Sequence, residues 1–429
     1  MLNFNYSILR LFYTGLLYLL IPFLFLRLIW RGFYARAYWQ RWGERFGFFH
    51  PLPKQEKILW IHAVSFGEVQ AAIPLIKLLQ VDYPHLPLLV TTMTPTGSQR
   101  VRDAFGNTVY HLYLPYDLPD ALYRFFQRIG RPCLLILIET ELWINALEAC
   151  YQRKIPVLLV NARLSARSAK GYQYIRALIC PVVQRLTLIA AQTTEDAERF
   201  MRLGANATQL QVTGSIKFDL HLPEQLTEQA NLLRAQWGDA RPIWIAASTH
   251  AGEESLLLTV LKQVRTSLPN VLLILVPRHP ERFNNVAQYC EQQGFSVCRR
   301  SQKNHGNLTT DIYLGDTMGE LLLLYACADI SVVGGSFVPV GGHNPLEPAA
   351  LGLPIIFGEY VFNFADICKK LCQLNIAQQL TTPEEIATAI CYLLTTPQAR
   401  QEISKKARGF IAQNRGTLFR LYHLITPLL

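Results

Sequence analysis

Short apolar runs, each closed by a polar or glycine-rich group, recur along the chain from Ile58 onward. Ile58 to Val64, Leu86 to Thr92, Tyr110 to Leu114, Cys133 to Ile138, Val157 to Val160 and Leu186 to Ala191 have this form, and the short Gln211 to Thr213 supplies a further strand. An unbroken apolar run is the mark of a strand buried on both faces, as in a parallel sheet. Between the runs, apolar residues recur at helical spacing, as from Val69 to Leu79. This is a βα alternation. Leu222 to Asp239 is polar and helical and reads as a linker region. A second alternation starts at Pro242, with strands expected at Ile243 to Ala247, Val271 to Val276, Ile312 to Leu314, Ile330 to Val333 and Ile355 to Phe357. The pattern predicts two doubly wound α/β halves: residues 48–220 and 241–429, joined through 221–240. Such halves place a cleft between the carboxyl ends of their sheets.

The N-terminus breaks this pattern. Leu11 to Leu26 carries no charge, and Pro22 inside it is expected to kink a helix there. A spanning helix needs about 20 apolar residues, so the segment is marginal. Arg27, Arg31, Arg36, Arg41 and Arg45 follow, interleaved with Trp30, Tyr34, Tyr38, Trp39 and Trp42. That mixture suits a membrane interface, and the positive-inside rule places the flank in the cytoplasm. Residues 1–47 are therefore expected to be a membrane anchor with a basic interfacial segment. A signal peptide is the alternative. Arg10 can serve as its n-region, but arginines follow where a small-residue cleavage site belongs.

The most informative stretch is Ala328 to Gly358. Ile330 to Val333 reads as a strand, Gly334-Gly335 and Gly341-Gly342 break the chain, and His343-Asn344-Pro345-Leu346-Glu347 reads as a helix start. Asn344 is expected at the N-cap, Pro345 at the first helical position and Glu347 as the reciprocal partner of a capping box. Glycines admit a ligand close to the backbone, and free N–H groups at a helix start attract phosphate.

The chain has 429 residues, half of them hydrophobic, and a formal net charge of +10. The basic balance suits an anionic partner. Of nucleic acid, a phosphorylated small molecule and an anionic membrane, nucleic acid is the weakest candidate, because no zinc-finger spacing, basic run or aromatic RNA motif occurs, and no nucleic-acid partner is expected. Nine cysteines without C-x-x-C pairs argue for a reducing compartment and against structural zinc. No Walker lysine motif, no Asp-x-Asp and no G-x-S-x-G is present, so a P-loop ATPase, a metal–diphosphate clamp of that type and a serine hydrolase are disfavoured.

Glu68, Glu139, Arg163 and Lys217 in the first half, and His250, Arg278, Glu320, Asn344 and Glu347 in the second, all fall after expected strands. Carboxylates in one half and anion-binding groups in the other suit transfer of a group from a nucleotide carrier to a nucleophile. A carboxylate takes the acceptor proton, and cations stabilise the leaving phosphate. Each residue also has a plain structural reading. Glu68, Glu320 and Glu347 fit capping boxes, Lys217 a solvated loop, and Arg278 a surface ion pair.

WIHAVSFGEVQAAIPLI, TTMTPTGSQRV, YLPYDLPDAL, ETELWINAL, NARLSARSAKGY, GSIKFD, ASTHAGEE, PRHPERF, GDTMGEL and GGSFVPVGGHNPLEPAA together resemble the Kdo (3-deoxy-D-manno-octulosonic acid) transferases of lipopolysaccharide synthesis. The resemblance spans essentially the whole chain, with Ile144 standing where the family usually has proline. It implies an inverting GT-B glycosyltransferase that moves Kdo from CMP-Kdo to a lipid A precursor, lipid IVA, on the cytoplasmic face of the inner membrane. It implies no metal and no cofactor beyond the donor substrate. It makes Glu68 the general base and Glu139 and Lys217 the groups that stabilise the transition state. It makes Pro277, Arg278, Met318, Gly319, Glu320, Asn344, Pro345, Leu346 and Glu347 the CMP contacts. The competing classes are a non-catalytic nucleotide- or lipid-binding module, which has no need of Glu68 and Glu139, and a nucleotide-sugar epimerase, which needs no basic anchor.

Overall fold

The computed structural model describes residues 2–53, 57–302 and 306–429, with side chains from Tyr6 onward. The chain forms two compact units: Met1–Asp219 with Arg415–Leu429, and Leu220–Asn414.

The first unit holds β1 (Ile58–His62), β2 (Leu88–Thr92), β3 (Tyr110–Tyr113), β4 (Pro132–Ile138), β5 (Val157–Ala162), β6 (Leu188–Ala191) and β7 (Leu210–Val212). They form one seven-stranded sheet in the order β3-β2-β1-β4-β5-β6-β7. Each neighbouring pair is parallel. Alternate residues of β1 feed two cores. Ile58 and Trp60 pack with Phe125 and Phe126 on one face, while Leu59 and Ile61 pack with Val69, Ile73 and Ile76 on the other. The apolar runs are unbroken for that reason.

The second unit holds β8 (Ile243–Thr249), β9 (Leu272–Pro277), β10 (Val297–Arg299), β11 (Ile312–Leu314), β12 (Ile330–Val333), β13 (Ile355–Phe357) and β14 (Ala377–Gln379). They form a second all-parallel sheet, ordered β10-β11-β9-β8-β12-β13-β14. Strand order reverses between β1 and β4 in one sheet and between β8 and β12 in the other. Ligands of open parallel sheets gather at the carboxyl ends beside such a reversal.

Three expectations need correction. The linker helix Leu226–Ala235 belongs to the second unit, where Ala230, Leu233 and the following Trp237 enter its core. The final segment belongs to the first unit. Asp219 accepts the Gly416 N–H at 2.6 Å, Thr417 Oγ1 donates to the Thr213 carbonyl at 2.9 Å, and Leu421 and Ile425 are buried.

The N-terminus is the third. It forms α1 (Leu2–Leu19) and α2 (Ile21–Tyr34), bent by 46°. The break falls at Leu20, and Pro22 occupies the first turn of α2, where its missing N–H costs no helical bond. Among the described residues no single helix is long and apolar enough to cross a membrane, whereas the bent pair passes that test together by length and composition. One face of α1 is polar and docked on the first unit. Tyr6 donates to Glu148 at 2.9 Å, Tyr13 to Asp117 at 2.9 Å, and Asn145 donates to Thr14 at 3.0 Å. The other face exposes Leu11, Phe12, Leu16 and Leu19, and α2 continues with Phe23, Leu26, Trp30 and Phe33. Two of the interfacial arginines are structural instead. Arg45 is buried and donates to the Met93 carbonyl at 3.0 Å. Arg41 pairs with Glu44 at 2.6 Å, and that carboxylate accepts the Tyr113 N–H at 2.8 Å.

Candidate functional site

In the first unit, β1 runs through Ala63 and Val64 into Ser65, the N-cap of α3 (Phe66–Asp82). The sequence pattern predicts a reciprocal capping box here, and the observed geometry differs. The Ser65 side chain accepts no backbone N–H of the helix. Its hydroxyl donates to Glu68 Oε1 at 2.8 Å, and the Val64 N–H donates to Oε2 at 2.7 Å. Both local donors are thus spent on holding the Glu68 carboxyl in place. Burial pushes its pKa up to about 7, with the Glu139 charge adding to the rise and the two donors opposing it.

Glu139 follows β4 and sits at φ 64°, in the left-handed region that a non-glycine residue rarely adopts. Its backbone N–H remains tied to the Val160 carbonyl at 3.0 Å. Lys217 Nζ lies 3.4 Å from Glu139 Oε1. The short turn Ile216–Phe218 that carries Lys217 is pinned from β5, because Asn161 Oδ1 accepts the Ile216 N–H at 3.1 Å. Glu68, Glu139 and Lys217 therefore gather in one unit, with the two carboxylates flanking the strand-order reversal. Arg163 follows β5, and its carbonyl accepts a bond from Thr140. Glu141 belongs to the same cluster. Burial, then the charges of Glu68 and Glu139, push its pKa up to about 8. Motif reading passed over Glu141. The signal was its place two residues beyond Glu139, with the intervening Thr140 bonded aside.

In the second unit, the Gly334–Gly335 loop after β12 is organised by Glu253, at the start of the helix Glu253–Ser267. This buried carboxylate accepts the N–H groups of His250 and Gly335 at 2.8 Å each, Phe337 at 2.9 Å and Ser336 at 3.1 Å. A Cβ at Gly334 would lie 2.6 Å from the Ser248 carbonyl oxygen, so only glycine lets the ends of β12 and β8 approach this closely. His250 and His343 then meet, Nε2 to Nε2, at 2.8 Å.

The helix expected from Pro345 starts one residue later, at Leu346, and ends at Leu351. Pro345 is the flanking residue. Asn344 Oδ1 accepts the Leu346 N–H at 3.1 Å, and Asn344 Nδ2 donates to Glu347 Oε1 at 3.2 Å. Glu347 thus completes no box to the Asn344 backbone, and the pair is joined through side chains. Burial raises the Glu347 pKa, while Asn344 and the Arg278 charge lower it. Pro277 closes β9, and Arg278 follows with its N–H on the Thr249 carbonyl at 3.0 Å. Among the described residues the Arg278 guanidinium makes no hydrogen bond or ion pair. Glu320 is engaged by Arg300 at 2.6 Å, which with Thr317 holds its pKa below the usual range. Met318 is exposed, and Gly319 has φ 86°. Among the described residues no group of three or more His, Cys, Asp or Glu side chains is arranged to hold a metal ion.

Residues 40–220 match the family model described as 3-deoxy-D-manno-octulosonic-acid transferase. A transferase of that name from Haemophilus influenzae is 42% identical over 425 residues, covering 98% of this chain and 99% of the relative. A crystal structure of the C-terminal CMP-Kdo binding domain of WaaA from Acinetobacter baumannii is 34% identical and covers 44% of this chain and all of that one, with a TM-score of 0.43. A glycosyltransferase from Rickettsia africae is 13% identical over 87% of this chain and 99% of its own, with a TM-score of 0.53. That likeness concerns the fold, which is GT-B.

Proposed function

The chain belongs to the Kdo transferases of lipopolysaccharide synthesis, and we propose from that premise that it transfers Kdo from CMP-Kdo to lipid IVA, with inversion, without a metal, and with Glu68 as general base. The observation that carries the base assignment is the Glu68 carboxyl, positioned by Ser65 and Val64 with its pKa pushed up to about 7. A base poised near the working pH holds its unprotonated form and still accepts a proton readily. Glu68 takes the proton of the acceptor hydroxyl as that oxygen attacks the anomeric carbon and the bond to the CMP phosphate breaks. A single displacement of this kind inverts the centre. Glu139 and Lys217, 3.4 Å apart, stabilise the transition state.

Arg278, whose guanidinium makes no hydrogen bond or ion pair among the described residues, is the cation for the departing phosphate, and Glu347 and Glu320 are acceptors for ribose hydroxyls. Met318–Glu320 and Asn344–Glu347 line the nucleotide. The six-residue length of Leu346–Leu351 leaves little macrodipole, so the guanidinium carries most of the phosphate interaction. The exposed apolar face of α1 and α2, with Arg27, Arg31 and Arg36, rests on the anionic cytoplasmic surface of the inner membrane. The test is transfer of labelled Kdo from CMP-Kdo to tetraacylated lipid IVA in EDTA, with the product anomer read by NMR. Absence of transfer, dependence on added metal, or retained configuration contradicts the respective part of the proposal.

A further inference from the structure

Three imidazoles cluster in the second unit at its strand-order reversal. His250 follows β8, His279 follows β9, and His343 closes the glycine loop after β12. The rings of His250 and His343 are 6° from parallel with centroids 5.1 Å apart and meet edge to edge through Nε2, and His279 stands edge-on to His250 at 5.1 Å. Gly335 is packed against them: a Cβ there would come within 2.9 Å of the His343 ring. Nothing in the transfer step described above uses these rings.

We propose that His250, His279 and His343 form a carboxylate pocket that seats the acid group of the donor sugar beside the phosphate held by Arg278. This rests on reading the donor as a CMP-activated sugar acid. In such a donor the carboxylate and the phosphate ester oxygen are bonded to the same carbon, so their two binding sites must adjoin. His279 is the residue after Arg278, and His250 lies against it.

The surrounding charges favour an anion. From the β8 side come Glu253 and Glu254. Glu253 is occupied by its four backbone N–H donors, and Glu254 accepts from Thr249 and Arg282, both at 2.8 Å. From the β9 side come Arg278, Arg282 and the exposed Glu281, whose carboxylate is 3.8 Å from His279. From the helix after the loop comes Glu347, already joined to Asn344. The negative groups are largely committed, which leaves Arg278 and the imidazoles, two of them bonded to each other through Nε2, as the groups that face an incoming anion.

A contact of 2.8 Å between two Nε2 atoms holds one proton, donated by one ring to the other. A second proton turns both atoms into donors facing each other, which an anion accepting from them offsets. In the free protein that proton is absent. Burial, then the His250, Arg278 and His279 charges, push the His343 pKa down to about 4, and His250 is lowered by burial and by His279, Arg282 and Arg278. A bound carboxylate reverses the sign of the local field, so seating the sugar acid draws in a proton.

The experiment uses the full chain and its His250→Gln and His343→Gln variants. Calorimetric titrations of CMP and of freshly generated CMP-Kdo are run at neutral pH in buffers of different ionisation enthalpy. The expected result is roughly a tenfold or greater loss of CMP-Kdo affinity in each variant, the worth of one charged hydrogen bond, with CMP affinity changed less than about twofold. Proton uptake should accompany CMP-Kdo binding to the unaltered chain, not CMP binding, and should fall in both variants. Equal losses for CMP and CMP-Kdo would place the phosphate on these rings or make them purely structural, and unchanged CMP-Kdo affinity would leave them no role. Either result overturns the pocket. Failure of the unaltered chain to transfer Kdo counts instead against the reaction assigned above, since these titrations contain no acceptor.

Discussion

The Glu253 carboxylate accepts the Gly335 N–H at 2.8 Å, tying the helix that follows β8 to the glycine loop that follows β12. His250, Ser336 and Phe337 donate to the same carboxylate. Glutamine has one acceptor oxygen and two N–H donors, so Glu253→Gln turns donors against donors in a buried place. It should destabilise the second unit by about 2–4 kcal/mol, the worth of one or two buried donors left unpaired. Denaturant unfolding with hydrogen exchange at Gly335 and Ser336 checks this. A loss below about 0.5 kcal/mol with unchanged exchange would contradict it.

Arg278→Ala should weaken CMP binding by about 1.5–3 kcal/mol, the typical contribution of a hydrogen bond to a charged group. Binding should be the same with magnesium and with EDTA. Calorimetry that finds unchanged affinity removes Arg278 from the phosphate site.

Glu141 gives a prediction in which sign matters. Its folded pKa of about 8 lies above its ordinary value of 4.5, so the folded state holds this proton more tightly than the unfolded chain. The associated stability is full below about pH 4.5 and is lost as pH rises toward 8. Glu141→Gln should leave the melting temperature nearly unchanged at pH 5 and raise it at pH 8.5 by ~1–3 °C. An equal shift at both pH values would show that the carboxyl is ordinary in the folded protein.

The membrane face separates into two tests. Leu11, Phe12 and Leu16 are exposed, and each buries roughly 1.5–3 kcal/mol of transfer free energy when it enters an apolar phase. Replacing all three with serine should reduce partition into anionic liposomes by more than ~100-fold, with an unchanged melting temperature. Tyr13→Phe, by contrast, removes the bond to buried Asp117 and should lower stability without releasing the protein from liposomes. Equal liposome binding by the serine variant would assign attachment elsewhere.

Much of this architecture was legible in the sequence because both sheets are buried on both faces. Runs such as Ile58–His62 and Leu272–Pro277 needed no partner to be recognised. The edge strands β10 and β14 were not legible. Val297–Arg299 and Ala377–Gln379 are three residues each, polar in part, and become strands through pairing with β11 and β13. A kink is expected from Pro22, and the break falls two residues earlier, at Leu20, because Pro22 is accommodated in the first turn of α2. The polar seam of α1 (Tyr6, Tyr13, Thr14) acquires meaning only from its partners Glu148, Asp117 and Asn145, more than a hundred residues away. In the site, Glu68 and Lys217 stood out by following strands. Glu253 stayed hidden, since its partners are backbone groups, and the pairing of His343 with His250 was not legible, since a distant strand brings the second ring in.

The most direct test of the account is the pH profile of turnover for the unaltered chain and Glu68→Gln at saturating CMP-Kdo and lipid IVA. Glutamine can occupy the same hydrogen-bonded position but takes no proton. The account predicts that turnover of the unaltered chain rises with pH to a limb near 7, where Glu68 ionises. In Glu68→Gln turnover should fall by roughly 10²–10⁴-fold and lose that limb, with CMP affinity unchanged and the melting temperature within about two degrees. Near-normal turnover of the folded variant, with the acid limb intact, would contradict it and move the base to another carboxylate, Glu139 first.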